Sequence, residues 1–345
     1  MKKIISILVV LLFMLLLTAC GGAVTDIPPS ASPAETTSPA DTPTDTPAQT
    51  PSETPADTPV PTASPAEVRA RPDADREGFA ITLPDEINTI VSIGPSNTEV
   101  IAALGLGGKV IAADRFSEGI AGIDDAVAVL DLMLIDAEYL IELNPDIIFV
   151  TGLTRAHDDD APLRLISDVG ISVVHVPTSV SIDAIMKDIQ FIAEVLDMHD
   201  AGEYILANMQ AELDAIREIA AGITQVRTVY FEISPAPTMW SLGSNTFINE
   251  MIELIGAVNI FRDDEGWLSV ADETLLDANP DVIITSVNFT DDPVSEIMNR
   301  PGWGAITAVQ NGDVFFVTTN YVNRANHNIV HGLRQIAAAV FPDYF

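Results

Sequence analysis

Apolar residues follow three patterns along this chain. A continuous apolar run near the N-terminus gives way to a polar stretch, and from about residue 78 onward short apolar runs alternate with amphipathic segments. Short runs rich in β-branched residues are typical of buried strands, whereas apolar residues recurring every three or four positions are typical of helices. Their alternation predicts an α/β fold with parallel sheets and helices on the sheet faces.

The predicted elements fall into two sets, which predict an N-terminal lobe over residues 78–198 and a C-terminal lobe over residues 223–345. In the first set the strands are Thr89–Ile93, Lys109–Ala113, Ile147–Thr151 and Ser172–Val176, and the helices are Asn97–Leu104 and Ala161–Val169. In the second set the strands are Arg227–Glu232, Val282–Val287 and Asp313–Val317, and the helices are Thr246–Ile255 and Ala325–Val340.

A long helical stretch separates the two sets. Ser181 is expected to cap a helix that ends near Leu196, and a second helix is predicted over residues 199–222. The second helix has an apolar stripe with a spacing of three and four, formed by Ile205, Met209, Leu213, Ile216 and Ile219. We expect this helix to be a rigid strut that joins the two lobes.

The N-terminus has the pattern of a secretory signal. Two lysines precede about 14 apolar residues, fewer than the roughly 20 that a membrane-spanning helix needs. The segment Leu17-Thr18-Ala19-Cys20 resembles the lipobox of bacterial lipoproteins, which implies a signal peptide over residues 1–19 and a lipid on the thiol of Cys20. A plain signal peptide and a membrane anchor helix are the alternatives.

Residues 20–67 are expected to form a lipidated, disordered, Pro/Thr-rich stalk. Eleven of the 23 prolines lie between Pro28 and Pro65, and such a composition has too little apolar surface to offset the entropy of ordering. Lipidation and the stalk together predict a protein anchored in the cell membrane on its extracellular face.

Composition excludes several classes of function. The chain has 16 Lys+Arg against 50 Asp+Glu, and this charge repels nucleic acid. A single cysteine excludes an intramolecular disulfide and a metal site built from cysteines. Neither a P-loop nor a Gly-x-Ser-x-Gly motif is present, so we expect no enzyme. An extracellular hydrolase and an adhesin stay as alternatives.

A weak internal repeat is the most informative motif. Glu138 and Glu273, 135 residues apart, each open a short predicted helix that Asn-Pro-Asp ends and a strand follows. A carboxylate at a helix N-terminus is favoured by the helix dipole, which is a purely structural explanation. One acid in each lobe also suits a dimeric membrane partner with two matching arginines.

The chain also resembles a known family. The stretch Thr89–Gly107 is similar to the opening strand and helix of the substrate-binding proteins of cobalamin and iron–siderophore ABC importers, and the two Glu…Asn-Pro-Asp segments resemble that family's docking glutamates. The resemblance covers residues 80–342. It implies two Rossmann-like lobes joined by a single long α-helix, a ligand in the cleft between them, and salt bridges from Glu138 and Glu273 to an ABC permease dimer with its ATPase.

Candidate ligand contacts lie in loops after the strands, where open α/β sheets bind ligands. The candidates are Ser96, Asn97, Phe116, Trp240, Trp267, Tyr321 and Arg324. The aromatic faces suit a flat ligand such as a corrin ring, so the ligand is expected to contain cobalt or iron, and no resident cofactor is expected. Cobalamin binders have an aromatic residue where this chain has Leu130–Met133, so ferric siderophore and haem stay open as ligands.

Two histidines offer an alternative, a zinc or manganese receptor. His327 and His331 are four residues apart on a predicted helix and so would share one of its faces. In the N-terminal lobe, His157 is the candidate third ligand. His327 is also a candidate axial ligand to the metal of a bound haem or corrin.

Overall fold

The computed structural model describes residues 69–154 and 161–345. The predicted signal peptide, Cys20, the predicted stalk and His157 lie outside the described residues. Within the described ranges, every helix is too short or too polar to cross a membrane.

The N-terminal lobe is built on a five-stranded parallel sheet with strand order β3-β2-β1-β4-β5. Its strands are β1 (Ile90–Ser92), β2 (Val110–Asp114), β3 (Ala128–Leu130), β4 (Ile147–Thr151) and β5 (Ser172–Val176). Its helices are α1 (Pro95–Ala103), α2 (Ala137–Leu143), α3 (Ala161–Asp168) and α4 (Ile182–Val195). Because β1 lies in the middle of the sheet, the strand order reverses beside it, at the place where such sheets bind ligands.

The C-terminal lobe has a four-stranded parallel sheet of order β11-β10-β6-β8 and an antiparallel pair, β7 and β9. Its strands are β6 (Thr228–Glu232), β7 (Met239–Leu242), β8 (Val258–Asn259), β9 (Trp267–Val270), β10 (Val282–Thr285) and β11 (Val314–Phe316). Its helices are α6 (Phe247–Leu254), α7 (Asp272–Ala278), α8 (Pro293–Met298), α9 (Thr307–Asn311), α10 (Thr319–Asn323) and α11 (Ile329–Val340).

Helix α5 (His199–Ala220) follows α4 and packs on α4 as well as on α6 and α11 of the C-terminal lobe. The Ser181 cap is confirmed, since its Oγ accepts a hydrogen bond of 3.1 Å from the Ala184 N–H. The buried stripe of α5 includes Met209, Leu213 and Ile216 but ends at Ala220, and Ile219 is 37% exposed. The prediction that the stripe includes Ile219 was wrong. At 3.6 residues per turn, the buried face of so long a helix gradually rotates around its axis, and at this end it contains Ala220 instead.

One apolar cluster extends through both lobes. It contains Ile189 of α4, Leu213 of α5 and Leu333 of α11, together with buried residues of both sheets. The α/β fold and its two sets of elements are confirmed, and the predicted strands agree with the structure to within two residues at each end.

The helix predicted over Ala325–Val340 begins only at Ile329. Before it, the Asn328 N–H donates to the side chain of Asn326 at 2.8 Å, and local bonds of this kind compete with helical ones. His327 therefore precedes the helix that carries His331, and the expectation that both share a helix face was wrong.

The C-terminal lobe contains a buried ion pair. Arg300 donates to Glu232 at 2.7 Å, and its guanidinium lies 4.1 Å from the ring centroid of the fully buried Trp303. Burial raises the pKa of Glu232, and the hydrogen bond from Arg300 opposes that rise. In the N-terminal lobe, by contrast, the pair Arg115–Asp131 lies at the surface, with both side chains 42% exposed.

Candidate ligand cleft and docking acids

A cavity of about 180 Å³ lies between the lobes. The N-terminal lobe contributes the start of α1 and the ends of β4 and β5 to its wall, and the C-terminal lobe contributes residues of α6, β9 and α10. The predicted residues Ser96, Asn97 and Trp267 lie on this wall. Their contact with a ligand stays a prediction.

The start of α1 is shaped by Gly94. Its φ of 125° is accessible to glycine, and a Cβ there would lie 2.1 Å from Cγ2 of Thr151. The Gly94 N–H donates to Asp114 at 2.8 Å, which holds the turn in place. Asn97 is 2% exposed, and its Nδ2 has no partner among the described residues. The start of this helix, at the cavity wall, therefore contains a buried amide donor without a hydrogen-bond partner among the described residues.

Trp267 and Leu132 occupy equivalent places in the two lobes. Each lies six residues before its lobe's repeated glutamate, and both lie on the cavity wall. Trp267 is 41% exposed and Leu132 is 1% exposed. At these equivalent places, the C-terminal wall thus has an exposed aromatic ring, and the N-terminal wall has a buried aliphatic side chain. Leu132 was not among the candidates, although the 135-residue offset identifies it.

Phe116 and Trp240 lie outside the wall that the described residues form around this cavity. Phe116 packs on the core of the N-terminal lobe, and its N–H donates to Asp114 at 2.9 Å. Trp240, on β7, packs against the cluster shared by the lobes. Both rings are half-buried, so packing accounts for their positions.

Arg324 and Tyr321 border a second groove, of about 510 Å³. Arg324 forms an ion pair with Glu99 and donates to the Phe116 carbonyl at 2.7 Å. Tyr321 packs on His331, with ring centroids 5.2 Å apart. The guanidinium that was expected to meet the ligand is thus already occupied by two groups of the N-terminal lobe.

His327 lies on the same groove, and its Nδ1 is buried without a partner in the part of the chain that the structure describes. Burial lowers the pKa of His327, the nearby Glu99 opposes this, and His331 adds to it. No group of three or more metal-binding side chains occurs within residues 69–154 and 161–345.

Asp188 is the one ionisable side chain among the described residues on the cavity wall. It is 5% exposed, accepts a hydrogen bond from Arg76 at 2.8 Å, and is also bound by Ser179. Burial raises the pKa of Asp188, against hydrogen bonds from Ser179 and Arg76. The described wall therefore has no cation free to bind an anionic ligand.

The repeated segments have the same structure in both lobes. Glu138 and Glu273 are exposed in the first turns of α2 and α7. Each helix ends at a left-handed asparagine, with φ 46° at Asn144 and 45° at Asn279. The predicted sequence of helix, break and strand is confirmed, and the docking role of the two glutamates stays a prediction.

An aspartate then ties each helix to its sheet. In the N-terminal lobe, the Asp146 carboxylate accepts from the Thr89 N–H at 2.8 Å and the Thr89 hydroxyl at 3.0 Å. In the C-terminal lobe, Asp281 accepts from the Thr228 N–H and hydroxyl, both at 2.8 Å. We call these two arrangements the Asp–Thr clasps. They give Asn-Pro-Asp a structural role in both lobes.

Known proteins resemble this chain over most of its length. The uncharacterized ABC transporter substrate-binding lipoprotein YvrC of Bacillus subtilis is 31% identical over 276 residues, which are 79% of this chain and 85% of that protein. The vitamin B12-binding protein of Vibrio cholerae is 25% identical over 261 residues, covering 74% of this chain and 90% of that protein.

Among solved structures, a possible iron-binding, periplasmic solute-binding protein from Staphylococcus epidermidis is 26% identical, with a TM-score of 0.66, and covers 74% of this chain and 100% of its own. The sequence profile of the periplasmic binding proteins matches residues 90–321. The resemblance seen in the sequence is confirmed: the chain belongs to the periplasmic binding protein family.

Proposed function

We propose that this chain captures a corrinoid in the cleft between its lobes and delivers it to an ABC importer. The chain is a solute-binding protein of such an importer, in a family of transport receptors rather than enzymes, and its partners are a small-molecule ligand and a permease with its ATPase. The vitamin B12-binding relative of Vibrio cholerae supports the choice of ligand.

The charge of the cleft carries this proposal. The described wall is apolar apart from neutral hydroxyls and amides, and its one carboxylate, Asp188, is paired. A highly anionic ferric chelate or the propionates of haem need cations, since burying an unpaired charge is costly. A corrinoid presents an apolar ring with amide groups at its edge, which suits the exposed ring of Trp267 and the neutral hydroxyls and amides of the wall.

The cavity is too small to enclose a whole corrinoid. Its volume of about 180 Å³ is below the roughly 300–1,000 Å³ typical of ligand pockets. A corrinoid would therefore extend past Trp267, at the open rim, into solvent. Binding with part of the ligand exposed is compatible with a receptor that must hand the ligand over.

Tryptophan fluorescence tests the ligand. Cyanocobalamin, haem and ferric siderophores are titrated into the full chain, with correction for the absorbance of each ligand. Cyanocobalamin should quench the emission saturably, and Trp267→Phe should remove most of the quenching. Trp240→Phe is the matched control, because Trp240 lies outside the cavity wall. Quenching by haem or a siderophore alone would replace the corrinoid by that ligand.

Two further parts of the function concern the membrane. We propose that Cys20 carries the lipid anchor and that Glu138 and Glu273 dock on the permease. The exposure of both glutamates at equivalent positions supports docking. A Cys20→Ser variant should be released from membranes into the medium, whereas a variant that stays in the membrane fraction would contradict anchoring at this residue.

A further inference from the structure

The segment Arg324–Asn328, between α10 and α11, crosses from the C-terminal lobe to Glu99 on α1. Arg324 is ion-paired with Oε1 of Glu99, and the side-chain amides of Asn326 and Asn328 donate to Oε2 at 2.6 and 2.7 Å. We call these four residues the Glu99 clamp. Three side chains of one lobe thus converge on a single carboxylate of the other.

The clamp is mostly buried, although it borders the groove beside Arg324. The side chains of Glu99 and Arg324 are 10% and 13% exposed, and Asn326 is fully buried. Hydrogen bonds that involve a charged group are stronger than neutral ones, and a buried carboxylate that loses its partners is costly. Another hydrogen bond between the lobes, from the Ile182 N–H to Glu250 at 2.8 Å, has one donor for its carboxylate. The Glu99 clamp is accordingly the stronger polar tie.

On the N-terminal lobe, Glu99 of the clamp adjoins a network of buried hydrogen bonds. Thr98, next to Glu99, lies in a buried chain of hydroxyls, 2.7 Å from Ser92 and 2.9 Å from Ser117. Ser117 in turn donates to Asp114, which also holds the Gly94 N–H at the cleft wall. A displacement of Glu99 would therefore move the start of α1, on which Ser96 and Asn97 face the ligand cavity.

We propose that Glu99 is a positioning residue that fixes the width of the ligand cleft, and that Arg324 belongs to this clamp rather than to the ligand site. Separating the lobes breaks three bonds to Glu99 together with the bond from Arg324 to the Phe116 carbonyl. The clamp holds the cleft near its present width when no ligand is bound. The effect of the clamp on ligand exchange rests on the proposed function, whereas the existence of the clamp does not.

Distances between spin labels test the clamp without any ligand. In the full chain, Cys20→Ser removes the natural thiol, and Glu142→Cys on α2 with Asp277→Cys on α7 places one label on each lobe at exposed positions. Pulsed electron paramagnetic resonance should give one narrow distance distribution. Glu99→Gln should broaden it and shift it to longer distances, because an amide cannot accept all three donors. Arg324→Gln should have the same effect.

Glu118→Gln is the matched control. Glu118 is an exposed acid on the same groove, so its substitution makes the same chemical change without touching the clamp. An unchanged distance distribution in a folded Glu99→Gln protein would overturn the proposal. With cyanocobalamin, loss of the clamp should speed dissociation by about tenfold or more. Failure of all variants to bind cyanocobalamin, with the distances still changed, would refute the ligand and leave the clamp intact.

Native-state hydrogen exchange covers the case in which Glu99→Gln does not fold. In the unaltered protein the backbone amides of Asn326 and Asn328 are hydrogen-bonded, to the Arg324 carbonyl at 3.0 Å and to the Asn326 side chain at 2.8 Å. A closed clamp should protect these amides as well as the central strands are protected. Exchange at the rate of a free peptide would show that the clamp opens readily and would contradict the proposal.

Discussion

In the N-terminal lobe Asp146 binds the start of β1, and in the C-terminal lobe Asp281 binds the start of β6 through the same atoms of a threonine. The two lobes differ in what lies inside and at the cleft. The C-terminal lobe buries Arg300 with Glu232 and presents Trp267 at the cleft, whereas the N-terminal lobe presents Leu132 and has the buried Asp188, paired with the half-buried Arg76, on the cavity wall. The two lobes are most alike in the exposed helices that bear Glu138 and Glu273. These helices are where a symmetric partner would dock.

Reversing the charges of the two glutamates proposed to dock on the permease should have the largest effect. Glu138→Arg with Glu273→Arg should abolish ligand uptake by cells, because arginines of the permease would then face like charges. Each single reversal should reduce uptake by about tenfold or more, and to a similar extent if the lobes dock equivalently. Cyanocobalamin affinity, measured by fluorescence, should be unchanged. Loss of both uptake and affinity would indicate that these residues maintain the fold.

Removing the buried ion pair should destabilise the protein strongly. Arg300→Met leaves Glu232 buried without its charged partner, and about 3–5 kcal/mol of unfolding free energy should be lost. The matched change in the other lobe, Arg115→Met, removes a surface pair and should cost about 0–1 kcal/mol. Urea denaturation followed by circular dichroism measures both values. Equal losses would show that burial does not make the Arg300–Glu232 pair more important for stability than a surface pair.

Giving both cleft walls a leucine tests whether the aromatic ring of Trp267 contributes to ligand binding. Trp267→Leu gives the C-terminal wall the side chain that the N-terminal wall has at Leu132. The loss of ring contact should weaken cyanocobalamin binding by about 1.5 kcal/mol, roughly tenfold in Kd, as measured by calorimetry. Trp240→Leu should leave Kd unchanged, and an equal loss from this variant would place Trp240 rather than Trp267 at the ligand.

The Asp–Thr clasps should give the smallest effect. Asp146→Asn and Asp281→Asn should each cost about 1 kcal/mol of unfolding free energy at pH 7, because a charged acceptor is replaced by a neutral one. Hydrogen bonds, the largest from the Asn88 N–H, lower the pKa of Asp146. Its contribution is therefore complete above the pKa of an unfolded aspartate and is lost as the pH falls.

The pH dependence provides the check on that clasp. Between about pH 5 and pH 2, the stability of Asp146→Asn should decline less steeply than that of the unaltered protein. Denaturation midpoints at several pH values measure this difference. Parallel curves for the two proteins would show that the carboxylate of Asp146 contributes no pH-dependent stability.

Periodicity was sufficient to predict most of the fold. Strand β5, buried along its whole length, agrees with the prediction at both ends, and the Ser181 cap lies where the sequence places it. The short strands β3, β7, β8 and β9 were missed, since two to four residues give little periodic signal. The start of α11 was misplaced because the bonds around Asn326 are local to that loop.

The candidate site could be predicted only in part. Ser96, Asn97 and Trp267 lie on the cavity wall, and loop position after a strand was enough to select them. Arg324 was selected in the same way, but Glu99, which occupies it, is 225 positions away in sequence. A single sequence does not show such a long-range pairing, nor does it show that the rings of Phe116 and Trp240 pack on the cores.

The apolar cluster that runs through α4, α5 and α11 has a consequence for cooperativity. Because residues of both sheets belong to one interior, neither lobe can lose its packing without exposing the other's apolar surface to water. Thermal unfolding should then be a single calorimetric transition, with equal van't Hoff and calorimetric enthalpies. The two lobes should therefore unfold together, so a ligand bound at the rim of the cleft would protect the whole molecule from proteolysis.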